Sequence, residues 1–223
     1  MHRTIIDRLL AGRRHRIGRR FDRKHGVETT DPIDRNGLTG MAPELREHAG
    51  EYMPTPVALF RRIIGKSRID PADFSFVDLG SGKGRVLLAA AEYPFRSILG
   101  IEADGSLHQL AMQNLAGRLD GVAGSPMKIL HADARTAELP KGNLFVFMYS
   151  PFRGPIFRQV ASRLAEVGRE SGRAVVIAYS ADWEAEELER TRVFTRIRMP
   201  RRQFWAPPTV SLFYNDVALG MRR

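Results

Sequence analysis

Apolar residues along the chain recur with two different periods. Short, nearly continuous apolar runs stand at residues 74–79, 97–101, 127–130, 143–149 and 173–179. Runs of that length, bounded by turn formers, read as strands buried on both faces. Between them the apolar positions fall three and four apart. Val86, Leu87, Ala90 and Ala91 lead to a stop at Pro94, Leu107, Ala111 and Leu115 mark one face of a helix over about 106–119, and a further helix covers about 153–167. Strands alternating with helices predict βαβ units and a parallel sheet. A short acidic helix follows at 181–188, and two strands, 193–199 and 210–219, close the chain.

Upstream of the first strand the pattern is looser. Thr55 fits a helix N-cap, Pro56 the first helical position and Gly65 a stop, which predicts a helix over 56–64 with Val57, Phe60, Ile63 and Ile64 inward. Residues 21–40 are dense in turn formers and read as a loop anchored by Phe21, Val27, Ile33 and Leu38. Before them Ile5, Ile6, Leu9, Leu10 and Ile17 give residues 1–24 a helical, amphipathic character. The chain thus divides into an N-terminal extension, 1–50, and a larger domain, 51–223.

Charge sharpens that division. The net charge is +10, and residues 1–24 hold nine arginines and lysines against Asp7 and Asp22, a net +7. Such an arm suits a nucleic acid, an acidic partner or a membrane surface, but it lacks interleaved aromatics for base stacking. Arginine outnumbers lysine thirty to five throughout. The expectation is therefore a solvated basic helix, with nucleic acid as a partner that the arm could serve.

Composition removes several classes of function. The 223 residues suit one domain with a full core. Cysteine is absent, so there is no disulfide framework, no thiolate zinc site and no cysteine nucleophile. His131 has no second histidine or acid beside it at ligand spacing, and no metal is expected. No apolar run approaches the roughly 18 residues of a membrane span, and no signal-peptide core follows Met1, so the expected setting is cytoplasmic.

The chemistry concentrates after the first strand, in Asp78-Leu79-Gly80-Ser81-Gly82-Lys83-Gly84-Arg85. A phosphate-binding P-loop needs G-x-x-x-x-G-K-[ST], but Gly84 follows Lys83 and Val77 stands where the first glycine belongs. A dinucleotide fingerprint needs G-x-G-x-x-G, and neither glycine pair reaches a third glycine at that spacing. An acid at the loop mouth would repel a pyrophosphate and favours a cationic ligand. One strand over, Glu102 can accept from ribose hydroxyls.

This D-x-G-S-G-x-G-R loop resembles motif I of the class I S-adenosylmethionine (SAM) methyltransferases, including the non-SET histone-lysine type. The resemblance implies a Rossmann-like seven-stranded sheet of order 3-2-1-4-5-7-6 with an antiparallel final hairpin. It also implies a SAM cradle of Asp78, Gly80, Ser81, Gly82, Gly84, Glu102 and Asp133, with Tyr52 and Thr55 as lid residues. Arg85 is left out, since a helix arginine more often faces solvent. Tyr149-Ser150-Pro151-Phe152 is similar to the acceptor motif of enzymes that methylate amino nitrogen, with Ser150 in place of the asparagine. Ser150, Tyr149 and Phe152 are accordingly the expected catalytic residues. The expected acceptor is an amine, a protein lysine first; RNA, DNA, a small molecule, or a scaffold role toward an acidic partner are the alternatives. The closing hairpin loop, with Arg198, Arg201, Arg202, Phe204 and Trp205, is a candidate substrate contact.

Overall fold

The computed structural model describes residues 5–117, 124–181, 183–200 and 209–222, without the side chains of 5–10. Its centre is a seven-stranded sheet of β1 (Ser75–Leu79), β2 (Ile98–Glu102), β3 (Met127–His131), β4 (Leu144–Tyr149), β5 (Val175–Ser180), β6 (Thr195–Arg198) and β7 (Val210–Tyr214). The order is β3-β2-β1-β4-β5-β7-β6, as the resemblance implies. Neighbours from β3 through β5 run parallel, while β7 is antiparallel to both β5 and β6.

Strand alternation divides the core between two faces. Phe76, Phe145 and Phe147 point to one side, where Phe60 meets Phe76 and Phe147 edge-on at 5.5 and 5.8 Å. Val77, Val146 and Met148 point to the other, against Phe157 and Leu164. The helices are α1 (Ile5–His25), α2 (Pro43–His48), α3 (Val57–Ser67), α4 (Arg85–Ala90), α5 (Gly105–Leu115), α6 (Pro155–Arg169), α7 (Ala185–Arg190) and α8 (Asp216–Gly220). α3, α4, α5 and α8 cover the phenylalanine face, and α6 and α7 cover the other. With β1 and β2 buried at every position, the loops at the carboxyl ends of the strands are left to form a site.

Three expectations change. Thr55 does not cap α3: Pro56 occupies the N-cap position without a side-chain bond, and the helix runs through Gly65 to Ser67. Burial of Ile63 and Ile64 outweighs the glycine's weak helix propensity, and the stop comes at Arg68, in the left-handed region at φ 56°. The last strand ends at Tyr214, five residues early. Asn215 turns the chain there, accepting from Val175 and Ala218 N–H groups and donating to Gly168 and Arg173 carbonyls, and α8 follows. Helix α2, with Pro43 in its first turn, lies in a stretch to which no element was assigned. Arg201, Arg202, Phe204 and Trp205 lie outside the described residues.

Candidate active site

The glycine loop between β1 and α4 is held by its own protein. Gly80 and Ser81 N–H groups both donate to the Ile101 carbonyl, at 2.8 and 3.1 Å, and Gly84 N–H donates to Ser81. Gly82 N–H donates to Glu102 Oε2 at 2.7 Å. Donors that a phosphate would need are thus consumed internally, which agrees with the spacing argument against a P-loop.

The glycines are required, but by neighbours in the same chain. At Gly80, φ 76°, a Cβ would come within 2.3 Å of Pro151 Cβ; at Gly82, φ 54°, within 2.4 Å of the Tyr52 ring. The loop therefore packs under the Tyr52 ring on one side and against Pro151 on the other. Gly84, at φ 82°, begins α4 and faces Ala111 and Leu115 rather than the cleft.

Around this loop a cleft opens at the carboxyl edge of the sheet. It is lined by Asp78, Gly80, Ser81, Gly82, Glu102 and Asp133, by Tyr52 and Thr55, and by Tyr149, Pro151 and Phe152. Eleven positions distant in sequence converge because β1, β2 and β4 are neighbours in the sheet. Gly84 and Ser150 are absent from the lining. Ser150 has its backbone at φ 48°, an unusual conformation for a residue that precedes a proline.

The carboxylates differ in their bonding. Glu102 is buried with both oxygens occupied, since Asp104 N–H donates to Oε1 at 2.9 Å. Burial raises its pKa, and the N–H bonds from Asp104 and Gly82 offset part of that rise. Asp78 is only 3% exposed and has no hydrogen bond or ion pair among the described residues. Burial first, and the Glu102 charge second, push its carboxyl well above the usual range. Ser81 Oγ is likewise buried without a partner among the described residues. Asp133 accepts from Arg135 N–H and Nε, both at 2.8 Å, and Arg135 also reaches Glu44 and Gln159.

A strap of residues 26–53 closes one wall. Ile33 and Tyr52 exchange backbone hydrogen bonds, and Tyr52 Oη donates to the Thr29 carbonyl at 2.7 Å. Burial raises the Tyr52 phenol, so it remains a neutral donor at physiological pH. The strap is pinned twice more: Gly40 N–H donates to Asp104, and Gly50 N–H donates to the Pro151 carbonyl at 2.8 Å. Ala49 and Phe152 form an antiparallel bridge, so the strap and the loop after β4 are hydrogen-bonded to one another.

Arg85 corrects the sequence reading. It is 5% exposed, not solvated, and its guanidinium bonds Asp22 on α1, Thr29 Oγ1 and Thr30 Oγ1 while lying 5.0 Å over the Phe21 ring. Lys83, also buried, donates to Glu28 and to the Asp31 carbonyl and lies 5.3 Å from the Tyr52 ring centre. Neither role was legible, because both depend on hydrogen-bond partners more than fifty positions away. Asp22, one of two acids in a strongly basic arm, is the available signal. Among the described residues no group of three or more histidines and acids could hold a metal ion, and no helix is long and apolar enough to cross a membrane.

No protein-family model and no curated protein matches the sequence. Solved structures do match by shape. The methyltransferase domain of bacterial CtHen1-CN superposes with a TM-score of 0.52 at 12% identity, over 70% of this chain and 96% of that one. TrmN from Thermus thermophilus gives a TM-score of 0.52 at 16% identity, over 72% of this chain and 49% of that one. With the strand order and the position of the cleft, these likenesses show that the chain has the Rossmann-like fold of methyltransferases.

Proposed function

We propose that the protein is a SAM-dependent methyltransferase that methylates an amine nitrogen of a macromolecule. The observation that carries this reading is Asp78, a buried carboxyl lining the cleft with no partner among the described residues. A carboxylate held out of water gains most from a cation placed against it. SAM brings an ammonium and a sulfonium, whereas a dinucleotide brings a pyrophosphate.

In this reading Asp78 faces the cationic end of the cofactor. Glu102, fixed by two N–H groups, keeps lone pairs for ribose hydroxyls. Asp133, oriented by Arg135, keeps one for the adenine amine. Tyr52 and Thr55 close the cleft, and Ser81 Oγ is a free polar group beside it. When bound, SAM supplies an electrophilic methyl group on sulfur.

The chain's own contribution is placement. Tyr149 and Phe152 line the acceptor end and exclude water; Ser150, between them in sequence but outside the lining, is assigned the orienting of the incoming amine by the motif resemblance alone. Held by Asp78, Glu102 and Asp133, the cofactor would supply its methyl group to the acceptor nitrogen. The nitrogen then sheds a proton to water. A protein lysine would have to lose a proton beforehand, and Ser150 is a poor base; the motif's resemblance to the histone-lysine type nevertheless supports nitrogen as the acceptor atom.

Calorimetric titration with S-adenosylhomocysteine tests the reading. Micromolar binding to the wild type should weaken about tenfold or more in Asp78→Asn, as expected for a lost charged hydrogen bond, and also in Glu102→Ala. Folded wild type that ignores this ligand but binds NAD would overturn it.

A further inference from the structure

Helix α1 presents two faces with different work. Gly18 and Asp22 point into the domain: a Cβ on Gly18 would lie 2.8 Å from Thr30, and Asp22 pairs with Arg85. On the opposite face Arg13, Arg16, Arg20 and Arg23 are all exposed, at steps of three, four and three residues. That spacing lines them in one stripe, each about 5 Å along the axis from the next. No carboxylate among the described residues is paired with the stripe. Asp22 is taken by Arg85, and Asp31 by His15 and Arg19.

Such a row repels itself. It is nevertheless held rigidly, by a buried ion pair, against the edge that carries the cleft. Arg14, one turn before Gly18, is exposed as well and adds to the positive charge of the helix. The ion pair of Asp22 with Arg85, a residue that lines the cleft, places the helix beside that cleft. At the same sheet edge, Tyr149 is in register with Ser180, and three residues beyond stands Trp183, 83% exposed.

We infer that α1 and Trp183 form a docking surface for a single-stranded nucleic acid, which is the macromolecule that presents its base amine to the cleft. The inference rests on the methyltransferase reading above and names its acceptor. Guanidinium forks at regular spacing suit phosphate oxygens, and an exposed indole suits an unstacked base. An exocyclic base amine is uncharged at neutral pH, so it needs no general base, in keeping with a serine at position 150. A lysine ammonium, by contrast, would be repelled by the arginine stripe. An unpaired strand can place a base in a cleft that a duplex cannot reach.

The test is fluorescence anisotropy of labelled single-stranded RNA and DNA oligonucleotides with the full chain, across a salt series and without cofactor. The wild type should bind at least one of them with a steep salt dependence. Arg13→Gln/Arg16→Gln/Arg20→Gln should flatten the slope of log K against log salt by about 2, since each single-strand phosphate contact contributes roughly 0.7. Trp183→Ala should weaken binding about tenfold. S-adenosylhomocysteine binding and the melting temperature should stay unchanged in both variants, which separates failure of this inference from failure of the cofactor reading. No binding at low salt, or a slope unaltered by the triple substitution, would overturn it. Tighter binding to polyglutamate or to phosphatidylglycerol vesicles than to either oligonucleotide would reassign the surface to an acidic protein or a membrane, and would equally overturn it.

Discussion

Arg85 and Asp22, 63 positions apart, form a buried ion pair at 3.1 Å that fastens the N-terminal helix to the first turn after the glycine loop. Thr29 and Thr30 complete the bonding of both partners. Removing one member would leave the other charged and buried, which typically costs about 3–5 kcal/mol. Asp22→Ala and Arg85→Ala should each destabilise the protein on that scale in urea unfolding, and the double substitution should cost less than their sum. Full additivity would mean that the pair is not coupled.

The same pair predicts a response to acid. Burial alone would raise Asp22, but its bonds to Thr29 and Thr30 and the Arg85 charge more than offset this and hold it below the ordinary value. A depressed carboxyl contributes its stability fully above the unfolded pKa, about 3.9, and loses it as the pH falls through the folded value. Asp22→Asn should therefore show a smaller loss of stability below about pH 4 than the wild type. Identical acid limbs would exclude Asp22 as a contributor.

Gly82 lies beneath Tyr52. Gly82→Ala introduces a left-handed alanine, at a cost of about 1–3 kcal/mol, and drives its methyl into the ring. We expect lower thermal stability and a loss of S-adenosylhomocysteine affinity, both partly restored by Tyr52→Ala in the same chain. Failure of the second substitution to restore either would show that the ring is not what the glycine accommodates.

Asp78 should be costly to the empty protein and useful to the occupied one. Its raised pKa means that stability present at low pH is lost as pH rises through the folded value, so Asp78→Asn should be the more stable chain at neutral pH. Ligand affinity should behave oppositely. A cation lowers the carboxyl's pKa, so S-adenosylhomocysteine should bind more tightly as pH rises and release a proton, detectable by calorimetry in buffers of different ionisation enthalpy. Proton uptake, or none, would count against the Asp78 contact.

Ser150 holds a left-handed backbone in the loop that follows β4. Ser150→Gly should relieve that conformation and stabilise the fold by about 1 kcal/mol, while Ser150→Ala should not. If the hydroxyl orients the amine, both variants should lose turnover on the genuine acceptor. Unchanged turnover in Ser150→Ala would remove the side chain from the chemistry.

The strands, the glycine loop, and the set formed by Asp78, Glu102 and Asp133 were legible because each rests on local information. Apolar runs at 74–79 and 143–149 admit few structures other than buried strands, and an acid before G-x-G restricts the ligand's charge. The end of β7 was misread because Val217 and Leu219 continue an apolar alternation, and only the Asn215 side chain, bonded to three other segments, reveals the turn.

What only the tertiary structure decided is who touches whom across the cleft. Arg85 looked like a solvent-facing helix residue because its partners, Asp22, Thr29 and Thr30, lie in a region with no strong period. The spacing of Gly80 and Gly82 marks a tight loop, but sequence could not say that Pro151 and Tyr52 are what they make room for. Nor could it show that the stripe of arginines on α1 turns outward while Gly18 and Asp22 turn toward Thr30 and Arg85. A local pattern fixes the path of the backbone and the faces of each element; the pairing of side chains distant in sequence depends on how those elements dock, and that is set by packing of the whole chain.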